Sequence, residues 1–349
     1  MTGSLPKIST HLGYFGSGSD RYNPSGYRVA VPPLERLCLA SKASGLDGVE
    51  LNYPATVNEG TIEEVKSALR ETGLAVSNIS LNVWGEGKWG RGSLTNPDPV
   101  VRVNAIETME CGIAIARKLG SPLVSLWPGQ DGFDYLFQID YGSAFDWFVK
   151  GMQEVAAYDR SMRICLEYKP KEPRAHLLVD TVARTMWLID KIGAPNVGVL
   201  LDVGHALCAQ ENVAQSAVLL QREGLLDLVH FNDNYGDWDW DMIPGTVRFW
   251  EHLELIFWLC ETGYDKWYSI DIDMPRGDPV KACQQSVTNI QRLYWLAGKL
   301  DREQILANLK HSDHPENLRL VSDMIFAALD VSVLETAQKG SGSHSSATT

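Results

Sequence analysis

Four segments of this 349-residue chain run apolar and then stop on side chains that bind metals or move protons. ICLEYKP places Glu167 and Lys169 two residues apart, on one side of an extended strand. VGVLLDVGH ends on Asp202, with His205 one turn further on; DLVHFND carries His230; WYSIDID carries Asp271 and Asp273. Any one of these has a structural explanation, because an Asp after a strand caps the next helix and a strand His is commonly a satisfied core residue. Four in succession call for more. Carboxylates gathered without compensation repel, so the set makes electrostatic sense around a cation. Glu167, Asp202, His230 and Asp271 supply three carboxylates, one imidazole and no thiolate. That set suits an octahedral divalent ion, Mn2+ foremost, with Mg2+ or Co2+ as alternatives, and disfavours tetrahedral zinc. A one-residue slip in strand parity would put Asp273 in the place of Asp271.

HFNDNYGDWDWDMIPG follows, with Asp233, Asp237, Asp239 and Asp241. If extended, it would put Asp237, Asp239 and Asp241 on one face, and His205 with Asp237 and Asp239 would make a second, more open metal site; a solvated acidic loop is the simpler alternative. The chain has 11 tryptophans. Trp84, Trp89, Trp127, Trp238 and Trp240 fall in loops where an aryl pocket would sit, against the plainer reading of packing residues. His11, in ISTHLGYF, is a site candidate on the first strand, and Arg174 and His176 are weaker candidates after the fifth.

Strands and helices must gather these residues. Candidate strands are Ile8 to Phe15, Gly48 to Asn52, Ala75 to Leu81, Leu123 to Leu126, Arg163 to Glu167, Val197 to Asp202, Asp227 to Phe231 and Trp267 to Asp271. Amphipathic stretches such as IEEVKSALRETG and VARTMWLIDKIG lie between them, with apolar residues at three- and four-residue spacing. Gly73, Gly120 and Gly193 stand where helix C-caps are needed. Eight strand-helix rounds predict an α/β fold, a (β/α)8 barrel over residues 1–298, whose chemistry lies at the strand ends. Residues 299–336 read as a C-terminal helical arm and 337–349 as a disordered tail.

The formal net charge is −13, which argues against a nucleic-acid partner. No GxGxxG follows a strand, against a dinucleotide fold, and no Gly-rich helix start follows strands seven or eight, against a phosphate substrate. No long uncharged apolar run or signal peptide is present, and the six cysteines form no CxxC pair. The expectation is a cytoplasmic protein with buried free thiols, not a membrane protein.

The metal motifs resemble the xylose-isomerase-like TIM-barrel superfamily, over nearly the whole chain to about residue 335. EYKPKEPRAH resembles the strand-five motif of L-rhamnose isomerases, and LDVGH and HFND with the paired acids fit the same pattern. The resemblance implies a structural metal at Glu167, Asp202, His230 and Asp271, a second metal or catalytic position at His205, Asp237 and Asp239, and Lys169 polarising a substrate oxygen. LWPGQDGFDY resembles the loop after strand four of sugar isomerases, where a Trp walls the sugar pocket, which assigns Trp127 to substrate contact; Trp84 and Trp238 are further substrate-binding candidates. GTVRFWEHLELIFWLCETGYDKWYSIDIDMPRGDP departs from rhamnose isomerases. It is closer to a branch that includes the α subunits of bacterial C-glycoside deglycosidases, which pair with a small β subunit, so an oligomer is expected.

Both enzymatic readings begin with loss of a proton next to a sugar carbonyl, with Lys169, His205, Glu167 and His11 as the catalytic candidates. Reprotonation gives an aldose-ketose isomerase or a 3-epimerase. Elimination from a 3-oxo-C-glycoside gives a deglycosidase, a route past a C–C bond that two ordinary carboxylates cannot hydrolyse. A non-catalytic sugar-binding barrel is the alternative from another class.

Overall fold

The computed structural model describes residues 5–326. They fall into two compact units, one ending at Leu293 and one beginning at Tyr294. In the first, eight parallel strands close into a barrel: β1 (Ile8–His11), β2 (Gly48–Tyr53), β3 (Ala75–Leu81), β4 (Leu123–Leu126), β5 (Arg163–Glu167), β6 (Val197–Asp202), β7 (Leu226–Phe231) and β8 (Tyr268–Ile270). Each strand pairs with its sequence neighbours, and β1 closes the ring against β8 through Ile8–Tyr268, Ser9–Ser269 and Thr10–Ile270. This is the predicted (β/α)8 fold.

The first strand is shorter than its apolar pattern suggests. After His11 the chain turns into a single 3-10 turn at Gly13–Phe15, because the Gly13 amide donates to His11 Nδ1 and Gly16 closes on Gly13. Helices α1 (Pro33–Ala40), α2 (Ile62–Thr72), α3 (Pro99–Leu119), α4 (Tyr141–Tyr158) and α5 (Val182–Ile192) follow the first five strands. A short α6 (Val203–Cys208) and then α7 (Val213–Arg222) follow β6, with α8 (Phe249–Glu261) after β7 and α9 (Pro279–Lys299) after β8. Asp98, Asp140, Thr181 and Asn212 cap α3, α4, α5 and α7 through their side chains. Gly73, Gly120 and Gly193 stop their helices in the left-handed conformation. The C-terminal unit contains α10 (Arg302–Lys310) and α11 (His314–Phe326). The end of the expected arm and the expected tail lie outside the described residues.

The barrel interior is layered, because side chains two apart on a strand share a face. Low in the barrel Leu123, Cys165, Leu200 and Leu228 form an apolar cluster against which Trp267 packs. Gly48 leaves room for that indole: a Cβ there would meet Trp267 at 2.9 Å. Two residues further along the same strands stand Ser125, Glu167, Asp202, His230 and Ser269, all buried. The cysteines are free, but Cys38 and Cys111 are exposed, contrary to expectation. They lie on the outer sides of α1 and α3, whose inner sides bury Leu37, Ala40, Met109 and Gly112 instead. Among the described residues no helix is long and apolar enough to cross a membrane.

Candidate metal centre

At the strand ends Glu167, Asp202, His230 and Asp271 converge, with one ligand atom of each within 4.8 Å of the others. His230 Nδ1 lies 2.9 Å from Asp271 Oδ2, 3.6 Å from Glu167 Oε1 and 3.7 Å from Asp202 Oδ2. Its other nitrogen, Nε2, donates to Glu50 Oε1 at 3.0 Å. A carboxylate acceptor there fixes the proton on Nε2 and leaves the Nδ1 lone pair facing the carboxylates. Nδ1 is buried and makes no aligned hydrogen bond, so it is free to ligate. Asn78 holds Glu50 Oε2 at 2.8 Å and Ser125 Oγ at 2.7 Å, so a polar chain crosses the barrel from β7 to β4. His11 behaves in the same way toward Asp271. Its Nδ1 accepts from Gly13, and its Nε2 lies 3.0 Å from Asp271 Oδ1. Asp273, by contrast, is exposed.

A second group comprises Asp202, His205 and Asp239. Asp202 caps α6 by accepting from the His205 amide at 2.8 Å, which sets the imidazole over the first group. His205 Nε2 is 3.3 Å from Asp239 Oδ2, and its buried Nδ1, 3.5 Å from Glu167 Oε1, has no aligned partner. Gly204 permits this approach, since a Cβ would meet Asn232 Oδ1 at 2.3 Å. Lys169 Nζ pairs with Asp239 Oδ2 at 2.9 Å and with Glu172, and lies 5.0 Å above the Trp127 ring.

Asp237 does not join this group. The acidic loop does not stay extended: it bends over residues 236–238, with Gly236 at φ +84, and the exposed Asp237 accepts from Trp240 Nε1 at 2.9 Å. Asp233 holds the loop closed by accepting from the Val247 and Arg248 amides at 2.8 and 3.0 Å. Asp239 and Asp241 are thereby turned into the cavity while Asp237 faces out.

The electrostatics of the cluster are divided: against their burial, His205 and Lys169 hold Asp239 low, and His11 and His230 hold Asp271 low. Burial pushes the Glu167 carboxyl up, and burial with Asp239, Asp271 and Asp202 nearby pushes Asp241 well up. Burial opposes a charged His205, yet Asp202 and Asp239 outweigh it and raise the imidazole to about 9. His230 is raised likewise by Glu50 and Asp271 against its burial. The donor set and the orphaned ring nitrogens fit a divalent ion that would offset these acids.

The cavity above the cluster holds about 410 Å3 and is lined by His11, Glu167, Lys169, His205, Asp239 and Asp271, with Trp84 and Trp127 as its aromatic wall. Those indoles meet edge to face at 5.1 Å. Trp238 is half-buried beside Lys171, outside this wall, Trp240 packs on Tyr235, and Trp89 is wholly buried. Arg174 lines a neighbouring cavity, and the His176 ring rests against Phe133.

The family model of the xylose isomerase-like TIM barrel matches residues 38–293. The chain belongs to that family. It is 28% identical to the xylose isomerase of Thermus thermophilus over 235 residues, which cover 62% of this chain and 59% of the relative. With the Ruegeria pomeroyi xylose isomerase it shares 28% over 173 residues, covering 48% and 40%. The chain thus spans about half the length of these curated relatives. Among solved structures, the fold resembles that of the E. coli 3-keto-D-glucoside 4-epimerase (TM-score 0.64, 20% identity, 82% of this chain and 99% of that one). It also resembles the D-allulose 3-epimerase of a Methylomonas species (TM-score 0.65, 16% identity, 84% and 98%).

Within the family's barrel, Glu50 and Asp241 line the cavity without having been singled out as site residues. Glu50 carries the same signal as the others, an acid at the inward position of an apolar strand in GVELNY. Asp241 shares with Asp239 the alternation in DWDWD that puts acids on one face, and both line the cavity.

Proposed function

We propose that the chain is a divalent-metal-dependent enzyme that removes a proton next to a sugar carbonyl, and that it acts as the α subunit of a C-glycoside deglycosidase on 3-oxo-C-glycosides. The observation that carries the reading is the convergence of Glu167, Asp202, His230 and Asp271 on one point under a tryptophan-walled cavity that also holds Lys169 and His205. Glu167, Asp202, His230 and Asp271 would hold the ion, Mn2+ foremost, and Asp202, His205 and Asp239 a second one. The bound ion supplies charge that makes a carbonyl-adjacent C–H acidic. Lys169, kept protonated by Asp239 and Glu172, donates to a substrate oxygen. The pair Glu167 and His205, 3.5 Å apart, takes up the C2 proton. The C2–H electron pair becomes the C1–C2 double bond conjugated with the 3-oxo group, the bond from C1 to the aglycone breaks with its electron pair on the aglycone carbon, and that carbon takes the proton back from the Glu167–His205 pair. His11 positions Asp271. Trp127 and Trp84 face the sugar, and the small β subunit that the resemblance implies belongs to the same proposal.

The family's sugar isomerases favour a second reading, an aldose-ketose isomerase or 3-epimerase, in which the proton returns to carbon. Incubating the Mn2+-loaded chain, alone and with a candidate β subunit, with a 3-oxo-C-glucoside and with free aldoses and ketoses separates the two. Release of free aglycone is the expected result. Conversion of free sugars with the glycoside untouched would replace elimination by isomerisation.

A further inference from the structure

The sugar cavity has a larger neighbour. A second cavity of about 630 Å3 shares Trp84 and Trp127 with it and is otherwise lined by Phe133, Ile139, Trp147 and Arg174, among others. Lys169 lines the first cavity and its ion-pair partner Glu172 the second, so this pair and the two indoles form the partition. A free monosaccharide needs only the inner cavity. We infer that the outer cavity is a second subsite, which seats a flat phenolic aromatic group joined to the sugar.

Its chemistry selects that occupant. Indole and phenyl faces suit a planar ring, and the volume lies inside the range of ~300–1,000 Å3 typical of ligand pockets. The Nε1 groups of Trp84 and Trp127 are buried and have no hydrogen-bond partner. Arg91 and Arg174 both line the outer cavity and form no ion pair or side-chain hydrogen bond among the described residues, in a chain of net charge −13. Of the carboxylates on the same wall, Glu172 is paired with Lys169, and Asp140 caps α4 through Ser143; Asp134 remains. Free guanidinium groups beside aromatic walls recognise ring faces and acidic hydroxyls together. Asp131 fixes the arrangement. It accepts from Ser93 and Thr95, 2.9 and 2.8 Å from their amides, and so ties the loop carrying Trp127 to the loop carrying Trp84.

The subsite deepens the deglycosidase reading and rests on it for the sugar half of the substrate. Its test is separate: calorimetric titration of the full chain with 7-hydroxyflavone, which has no sugar. Saturable binding is expected, weakened about tenfold in Trp147→Ala and in the exposed Arg174→Ala. Glu167→Ala, in the metal cluster, should leave flavone affinity unchanged. Absence of saturable binding, or binding indifferent to both Trp147→Ala and Arg174→Ala, would overturn the subsite. Flavone binding without aglycone release from a 3-oxo-C-glucoside keeps the subsite and discards elimination; release without flavone binding does the reverse.

Discussion

The lower and upper layers of the barrel interior are built on the same strands and differ by two residues of register. Leu200 and Leu228 point into the lower layer, and Asp202 and His230 point into the upper one. The lower layer is apolar, closed by Trp267, and gains free energy by burial and close packing. The upper layer buries Glu50, Glu167, Asp202 and His230, which costs free energy unless the charges are neutralised. One layer therefore holds the barrel together, and the other depends on it for rigidity, with a cluster of acids and imidazoles that could hold a cation. Mutations should separate the two roles.

The largest effect is expected in the upper layer. Glu167→Ala or His230→Ala should abolish activity and metal content together, and chelation of the parent protein should do the same until Mn2+ is returned. Elemental analysis beside the activity assay checks both; activity persisting in metal-free protein would remove the basis of the proposed chemistry. In the lower layer, Leu200→Ala should cost about 2–5 kcal/mol of stability through the cavity it opens, while the folded protein keeps its metal. Urea unfolding with and without Mn2+ measures this, and a loss of metal equal to that of Glu167→Ala would show that the layers are not separable.

Much of this contrast is legible in the sequence. Alternation of short β-branched runs with 3.6-periodic stretches, closed by Gly73, Gly120 and Gly193, specifies the barrel, because both periods are dictated by which face must be buried. The placement of Glu167, Asp202 and His230 at strand ends follows from the same alternation. What depends on particular contacts rather than on periodicity is not legible. The end of β1 is set by the Gly13–His11 hydrogen bond rather than by its apolar pattern. Trp89 and Trp127 look alike as loop tryptophans, yet one is core and the other cavity wall. That difference comes from ties such as Asp131 to Thr95, 36 residues apart. The exposure of Cys38 and Cys111 also follows from which side of each helix meets the barrel, which a thiol at a helical position does not announce.

A smaller effect is expected one step out from the ligands. Glu50 touches no proposed ion position but holds His230 Nε2 at 3.0 Å. Partners of this kind tune metal affinity by about 10–100-fold. Glu50→Ala should fall near the upper end and Glu50→Gln, which keeps a neutral acceptor, near the lower end. Competition with a metallochromic chelator reads this directly, and equal affinities in both variants and the parent would mean that packing alone orients His230.

The smallest effect tests how the acidic loop divides its charges. Asp237 and Asp239 have the same side chain and lie two residues apart, but Asp237 is exposed on Trp240 while Asp239 reaches His205 and Lys169. Asp237→Asn should leave metal stoichiometry unaltered and shift stability by no more than about 0.5 kcal/mol, as surface changes usually do. Asp239→Asn should remove the second ion and unbalance Lys169. The reason is the bend over residues 236–238, where Gly236 takes a positive φ and breaks the alternation that an extended loop would keep. If Asp237→Asn lost the second ion as readily as Asp239→Asn, the loop would have to open in solution, freeing Asp233 from the Val247 and Arg248 amides. Faster hydrogen exchange at those two amides would then accompany metal loss.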